Sequence, residues 1–158
     1  MVALAHRGRS SASVSLVRRL DHVAIVVRST ADALRFYRDH LGLRVQSSEE
    51  IATPGVRLTY VDTGNAYLQL VEPLDESSPI AAWLEEHGEG LHHICFGVDD
   101  VEQAATAIGD PGSVVNLGNG RGRVSAFVTT ERSHGVRIEC TEFEHAEDVE
   151  AVPGWLAG

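Results

Sequence analysis

Asp21-His22-Val23-Ala24-Ile25-Val26-Val27 and His92-His93-Ile94-Cys95-Phe96-Gly97-Val98 read as two versions of one strand. An offset of 71 positions superposes His22 on His93. Each histidine heads a mostly apolar run with the alternation of a half-buried β-strand. A matching strand follows each of them. Tyr67-Leu68-Gln69-Leu70-Val71-Glu72 places Gln69 47 residues after His22, and Arg137-Ile138-Glu139-Cys140-Thr141-Glu142 places Glu139 46 residues after His93. A period of about 70 residues is too long for a solenoid repeat and indicates internal duplication.

The intervening sequence completes two βαβββ units. After a strand over 22–28, Ser29 is placed to cap a helix with Asp32 at its third position. Ala33, Phe36, Tyr37 and Leu41 recur at helical spacing, and Gly42 is a stop. Strands are predicted at 43–51, 56–63 and 66–72, parted by Pro54-Gly55 and Gly64-Asn65. Ser78-Pro79 opens a linker helix over about 79–87. The second unit repeats the order: a strand at 92–98, a helix capped by Asp99, and strands near 113–117, 122–129 and 134–142. The predicted fold is α+β, with two tandem modules (about 20–74 and 90–143) forming one curved mixed sheet around a cleft. Residues 1–19 are expected to form a disordered tail and the acidic 144–158 a second one, with Trp155 as a possible anchor.

Alternation assigns the faces. His22, Ala24 and Val26 point to the cleft while Val23, Ile25 and Val27 face a helix. His93, Cys95 and Gly97 share the cleft face of the second unit, and His92 is expected to point away. Two imidazoles, one amide oxygen and one carboxylate would thereby converge, a set suited to a divalent transition metal. A closed structural zinc site would instead use four ligands, usually with thiolates among them.

Composition sets the outer bounds. The 158 residues carry a net charge of -10, which argues against a nucleic-acid partner. No apolar run approaches the ~18 residues of a membrane span. All 13 basic residues are arginine, so lysine Schiff-base and P-loop chemistry are excluded. Cys95 and Cys140 sit in apolar strands without CxxC spacing, suggesting buried thiols in a reducing, cytoplasmic compartment. His6, His40, His87, His134 and His145 read as exposed or helix-end residues, and Cys95 as a packing residue. Arg121 and Arg123, in a glycine-rich turn, are read either as contacts for a ligand's phosphates or as a solvated hairpin.

Ser78-Pro79-Ile80-Ala81-Ala82-Trp83-Leu84-Glu85-Glu86, followed by Gly90-Leu91-His92-His93-Ile94-Cys95-Phe96 and Val98-Asp99-Asp100, resembles the methylmalonyl-CoA epimerase family. That family belongs to the vicinal-oxygen-chelate superfamily, which includes glyoxalase I and extradiol dioxygenases. Residues 21–24, 36–43 and 70–74 are similar to the same family, and the likeness runs from about 19 to 143. The resemblance implies that His22, Gln69, His93 and Glu139 bind a divalent ion. Co2+ is the family's usual metal, with Zn2+, Ni2+ or Mn2+ as substitutes. It further implies an acyl-CoA substrate whose malonyl thioester chelates the ion, acid-base work by glutamates near C2, and a homodimer. On this reading Glu139 is both ligand and base, with Glu49, Glu50 and Glu72 as candidates for a second acid.

Three positions depart from the family pattern. Leu58 stands where several members have a proposed glutamate base; Gly118-Asn119-Gly120-Arg121-Gly122 replaces a glycine-histidine-glycine loop; and Thr129-Thr130 replaces a proline. These departures bear on the substrate rather than on the fold or the metal. The leading reading is a metal-dependent epimerase of methylmalonyl-CoA or a close acyl-CoA, working through proton abstraction at C2. A glyoxalase-like isomerase or lyase and a non-catalytic binder of the bleomycin-resistance type are the alternatives. An extradiol dioxygenase fits less well, because Gln69 as a fourth ligand would occupy a position that chemistry keeps open.

Overall fold

The structure, a computed structural model, describes residues 15–111, 116–118, 120–128 and 130–143. The β-branched run after Arg19 forms β1 (Arg19–Val26). In the first unit β2 (Arg44–Ile51), β3 (Val56–Asp62) and β4 (Tyr67–Pro73) follow. The second unit supplies β5 (Gly90–Val98), β6 (Asn116–Gly118), β7 (Ser125–Val128) and β8 (Ile138–Glu142). All eight join one mixed sheet in the order β2-β3-β4-β1-β5-β8-β7-β6. Each unit has the same internal order: its last strand lies parallel to its first. The units meet where β1 pairs antiparallel with β5. The four central strands are therefore β4, β1, β5 and β8, the ones that carry Gln69, His22, His93 and Glu139.

Period-2 alternation divides the core into layers. On the outer face of the first unit Val27, Leu34, Val45, Val61 and Leu70 pack around α1 (Thr30–Leu34). Against the second unit α3 (Val101–Ile108) buries Val101, Ala104 and Ala105 on Val98, Ala126, Val128 and Cys140. Full burial of a side chain such as Leu70 contributes ~2 kcal/mol. A third cluster lies on the cleft face, where Leu84 of α2 (Pro79–His87) meets Ala24, Val26, Val56 and Val71. The linker helix thus closes one end of the cleft. Among the described residues no helix is long and apolar enough to cross a membrane.

Two local expectations change. The helix that begins at Thr30 does not run on as a uniform α-helix: from Arg35 to His40 it widens into a π-turn, with Leu41 N–H donating to Phe36 O at 2.9 Å. The extra residue in that turn rotates the apolar stripe. Ala33 and Tyr37 stay on the core, while Phe36 and Leu41 are about half exposed. The cap of α3 is Asp100, which accepts from Gln103 N–H at 2.8 Å, and not Asp99. Asp99 is taken by Arg18, whose Nε lies 3.0 and 2.9 Å from its two carboxylate oxygens. Ser29 does cap α1, accepting from Asp32 N–H. Of the expected N-terminal tail, residues 1–14 fall outside the described residues, as do 144–158, most of the strand near 113–117, Asn119 and Thr129. Arg18 N–H donates to Gly97 O at 2.8 Å and Arg19 already begins β1, so the end of that tail belongs to the sheet.

Candidate metal centre

Register brings the four predicted ligand positions onto neighbouring strands. In the β1–β5 pairing His93 lies opposite Ala24, and the parallel strand β4 sets Gln69 opposite the same Ala24. Glu139 lies opposite Cys95, which faces His22 across the β1–β5 ladder. His22 Nε2 and His93 Nε2 come within 3.3 Å of each other. Glu139 Oε2 is 3.0 Å from His93 Nε2 and 3.2 Å from His22 Nε2. Donor atoms of these three buried residues all lie within 4.8 Å of one another. Gln69, also buried, donates its amide N–H to Tyr60 Oη at 2.7 Å. In this orientation the amide carbonyl oxygen is the atom left to face a cation.

Residues behind this cluster hold it in place. Asp21 is fully buried, with Oδ2 2.7 Å from His22 Nδ1, so His22 presents Nε2 to the centre. Arg121 Nη2 donates to the same Asp21 oxygen, and its guanidinium lies 4.3 Å from the centroid of the Tyr60 ring. Burial pushes the Asp21 carboxyl up, but the His22 hydrogen bond and the Arg121 charge outweigh this and hold it below its ordinary value. Glu139 behaves alike: burial raises it, and the two imidazoles pull it well below the usual carboxylate range.

The histidines move in opposite directions. Burial favours neutral imidazole in both. At His22 the hydrogen bonds to Asp21 and Glu139 overcome burial and raise it, whereas His93 stays lowered. With both rings neutral, Asp21, Glu139 and Arg121 leave the cluster one unit negative. The site therefore draws a cation, either a proton on His22 or a metal ion in its place. Borderline nitrogen and oxygen donors around a buried negative charge fit a divalent transition ion. Cys95 is no competitor. It is fully buried, and burial drives its thiol far up, so it stays protonated and packs.

His92 departs from the alternation expected of it. Its Nδ1 sits 2.8 Å from His93 Nδ1, its Nε2 accepts from Arg137 at 3.0 Å, and its ring lines the cleft. Trp83 of α2, 5.0 Å away centroid to centroid, packs on it from the other side. Burial, then the neighbouring His93 and Arg137 charges, push His92 down to about 3. The folded state thus prefers neutral His92, which stabilises it fully above the ordinary value near 6.5. The contribution is lost as pH falls from there towards 3. A His92→Leu variant is expected to lose less stability than the parent between pH 6.5 and 4 in urea titrations. Equal losses in the two proteins would refute this.

The remaining cleft is a cavity of about 200 Å³. Ile51, Val56, Leu58, Val71 and Ile80 line it as an apolar wall, and Leu58 occupies the position where an acid was sought. Glu50 pairs with Arg57, while Glu72 accepts from Thr30 N–H and Arg57. Glu49 accepts from the backbone N–H of Arg121. None of the three lines the cavity, and among its described lining residues Glu139 is the only carboxylate. The supporting roles of Asp21, Tyr60 and Arg121 are absent from the sequence reading. An acid directly before His22, and an aromatic two positions after Leu58 on the same strand face, were signals for the first two. A glycine-rich turn carries no such signal for the third.

Residues 21–142 match the Glyoxalase/Bleomycin resistance protein/Dioxygenase superfamily. The ethylmalonyl-CoA/methylmalonyl-CoA epimerase of Cereibacter sphaeroides is 36% identical over 70% of this chain and 83% of its own. Among solved structures, methylmalonyl-CoA epimerase from Mycobacterium tuberculosis superposes with a TM-score of 0.74 at 30% identity, covering 84% of this chain and 93% of that one. A variant of the Streptomyces coelicolor methylmalonyl-CoA epimerase, in complex with 2-nitronate-propionyl-CoA, gives 0.72 at 34% identity over 82% and 99%.

Proposed function

The chain belongs to the Glyoxalase/Bleomycin resistance protein/Dioxygenase superfamily, and from that premise we propose that it interconverts the (R) and (S) forms of methylmalonyl-CoA. The observation that carries the reading is the convergence of His22, His93 and Glu139 within 4.8 Å on the cleft floor, with Gln69 beside them. The similar epimerases support the acyl-CoA substrate. His22, Gln69, His93 and Glu139 are the proposed ligands. They suit Co2+, the family's usual ion, and equally Zn2+, Ni2+ or Mn2+. When bound, such an ion supplies the Lewis acidity that makes the C2 proton of a malonyl thioester removable.

The residues divide the remaining work. Asp21 holds the His22 ring and Tyr60 the Gln69 amide, so neither has to reorganise as the substrate arrives. Glu139 Oε2 faces both imidazoles, which leaves Oε1 to take the C2 proton. The apolar wall around Leu58 keeps water from that side of the cavity. Glu139 is the only carboxylate among the described lining residues, which makes it the proposed base at C2. Metal-loaded protein in D2O is expected to place solvent deuterium at C2 in each molecule that epimerises. An unexchanged C2 proton, under conditions where a control epimerase washes it out, would end the assignment.

Leu58 in place of an acid favours one second reading, a glyoxalase-like isomerase acting on another chelating substrate. Turnover of a glutathione hemithioacetal would select it.

A further inference from the structure

The loop 120–122 turns a cation into the cleft. Arg121 has φ 58 and ψ 29, a left-handed backbone that is unfavourable for a non-glycine residue. Two contacts fix it there. Its N–H donates to Glu49 Oε1, and Gly120 before it lies so close to β3 that an added Cβ would stand 3.0 Å from Tyr60 Oη and 3.4 Å from Leu58 Cδ1. The side chain runs inward, only 11% exposed, across the faces of Tyr60 and Tyr67 to Asp21. Two of the positions that depart from the family pattern, Leu58 and this loop, therefore lie close together, and both line the same cavity.

We propose that Arg121 is a specificity-determining residue that recognises the free carboxylate of the substrate, the group that separates a malonyl-type thioester from a simple acyl thioester. The proposal rests on the acyl-CoA reading above. Arg121 is the only arginine among the described residues lining the cavity, and one carboxylate, Asp21, separates it from His22. A planar fork with five donors can hold Asp21 and still address a second carboxylate in its plane. A substrate carboxylate entering the cavity would add to the negative charge of Asp21, Glu139 and Glu49, and the Arg121 guanidinium is the group placed to offset it.

The test compares methylmalonyl-CoA with isobutyryl-CoA, in which a methyl group replaces the carboxylate. Dissociation constants for both are measured by calorimetry on metal-loaded full-length protein, for the parent, Arg121→Met and Arg121→Lys at equal metal content. Chelation of the ion favours methylmalonyl-CoA in all three proteins and cancels when the preferences are compared. Arg121→Met is expected to reduce the parent's preference about tenfold, and Arg121→Lys, which keeps the charge without the fork, to reduce it less. An unchanged preference in Arg121→Met overturns the proposal, as does an equal loss in both variants. Failure here alongside intact C2 exchange removes only the role of Arg121. An Arg121-dependent preference without exchange removes only the epimerase reading.

Discussion

Glu139→Ala is expected to lose bound metal and to abolish C2 exchange, and Glu139→Gln to keep most of the metal while losing the exchange. Glu139 is 7% exposed, and its Oε2 touches both imidazoles, so no other described acid can take its place at the centre. Alanine removes the one carboxylate of the proposed ligand set along with the proposed proton acceptor. Glutamine keeps a ligating oxygen of the kind Gln69 already supplies, but it cannot accept the C2 proton. A general base contributes ~10²–10⁴-fold, and glutamine should remove that much from turnover. Elemental analysis and deuterium incorporation read the two roles separately. Stoichiometric metal in Glu139→Ala would dismiss Glu139 as a ligand. Exchange within tenfold of the parent in Glu139→Gln would dismiss it as the base.

What could be read along the chain was whatever depends on strand period. His22, Gln69, His93 and Glu139 head or sit within alternating runs, and alternation alone turns all four to one face. Their convergence then needs only that each unit lay its last strand beside its first, which β1–β4 and β5–β8 both do. The features that escaped depend on contacts between distant segments. Arg121 points inward because Glu49, 72 positions away, holds its amide and Tyr60 crowds the preceding glycine. His92 lies at the mouth of the cleft because Trp83 and His93 grip it from either side, against the strand's own alternation. Asp99 surrenders the α3 cap to Asp100 because Arg18, 81 positions earlier, claims it. No local pattern encodes pairings of that kind, and they are what distinguishes this cleft from a generic one of its fold.

Asp21→Asn tests how far the metal centre depends on the residue behind it. Asp21 receives two donors on one oxygen, His22 Nδ1 and Arg121 Nη2, and has no exposed surface. Asparagine has nearly the same shape and its carbonyl oxygen can accept both donors, but it carries no charge to hold the imidazole and the guanidinium. Loss of such an outer partner weakens metal affinity ~10–100-fold, and the same drop is expected here in competition titrations with a chelator. Arg121 would also be left as a largely buried cation without its counter-ion, at a cost of ~3 kcal/mol in the metal-free protein. The pH dependence identifies the cause. Because the folded state holds the Asp21 carboxyl below its ordinary value of 3.8, the stability it contributes is present above that pH and lost as pH falls through the folded value. The deficit of Asp21→Asn should therefore be full at pH 7 and shrink in acid, where the parent's own carboxyl protonates. Adding Arg121→Met to Asp21→Asn should restore part of the stability, since the stranded charge goes with it, while metal affinity stays low because His22 still lacks its charged partner. Equal denaturation midpoints for parent and Asp21→Asn at pH 7 would show that the buried pair does not hold the site together, and the account of His22 as an oriented ligand would fall with it.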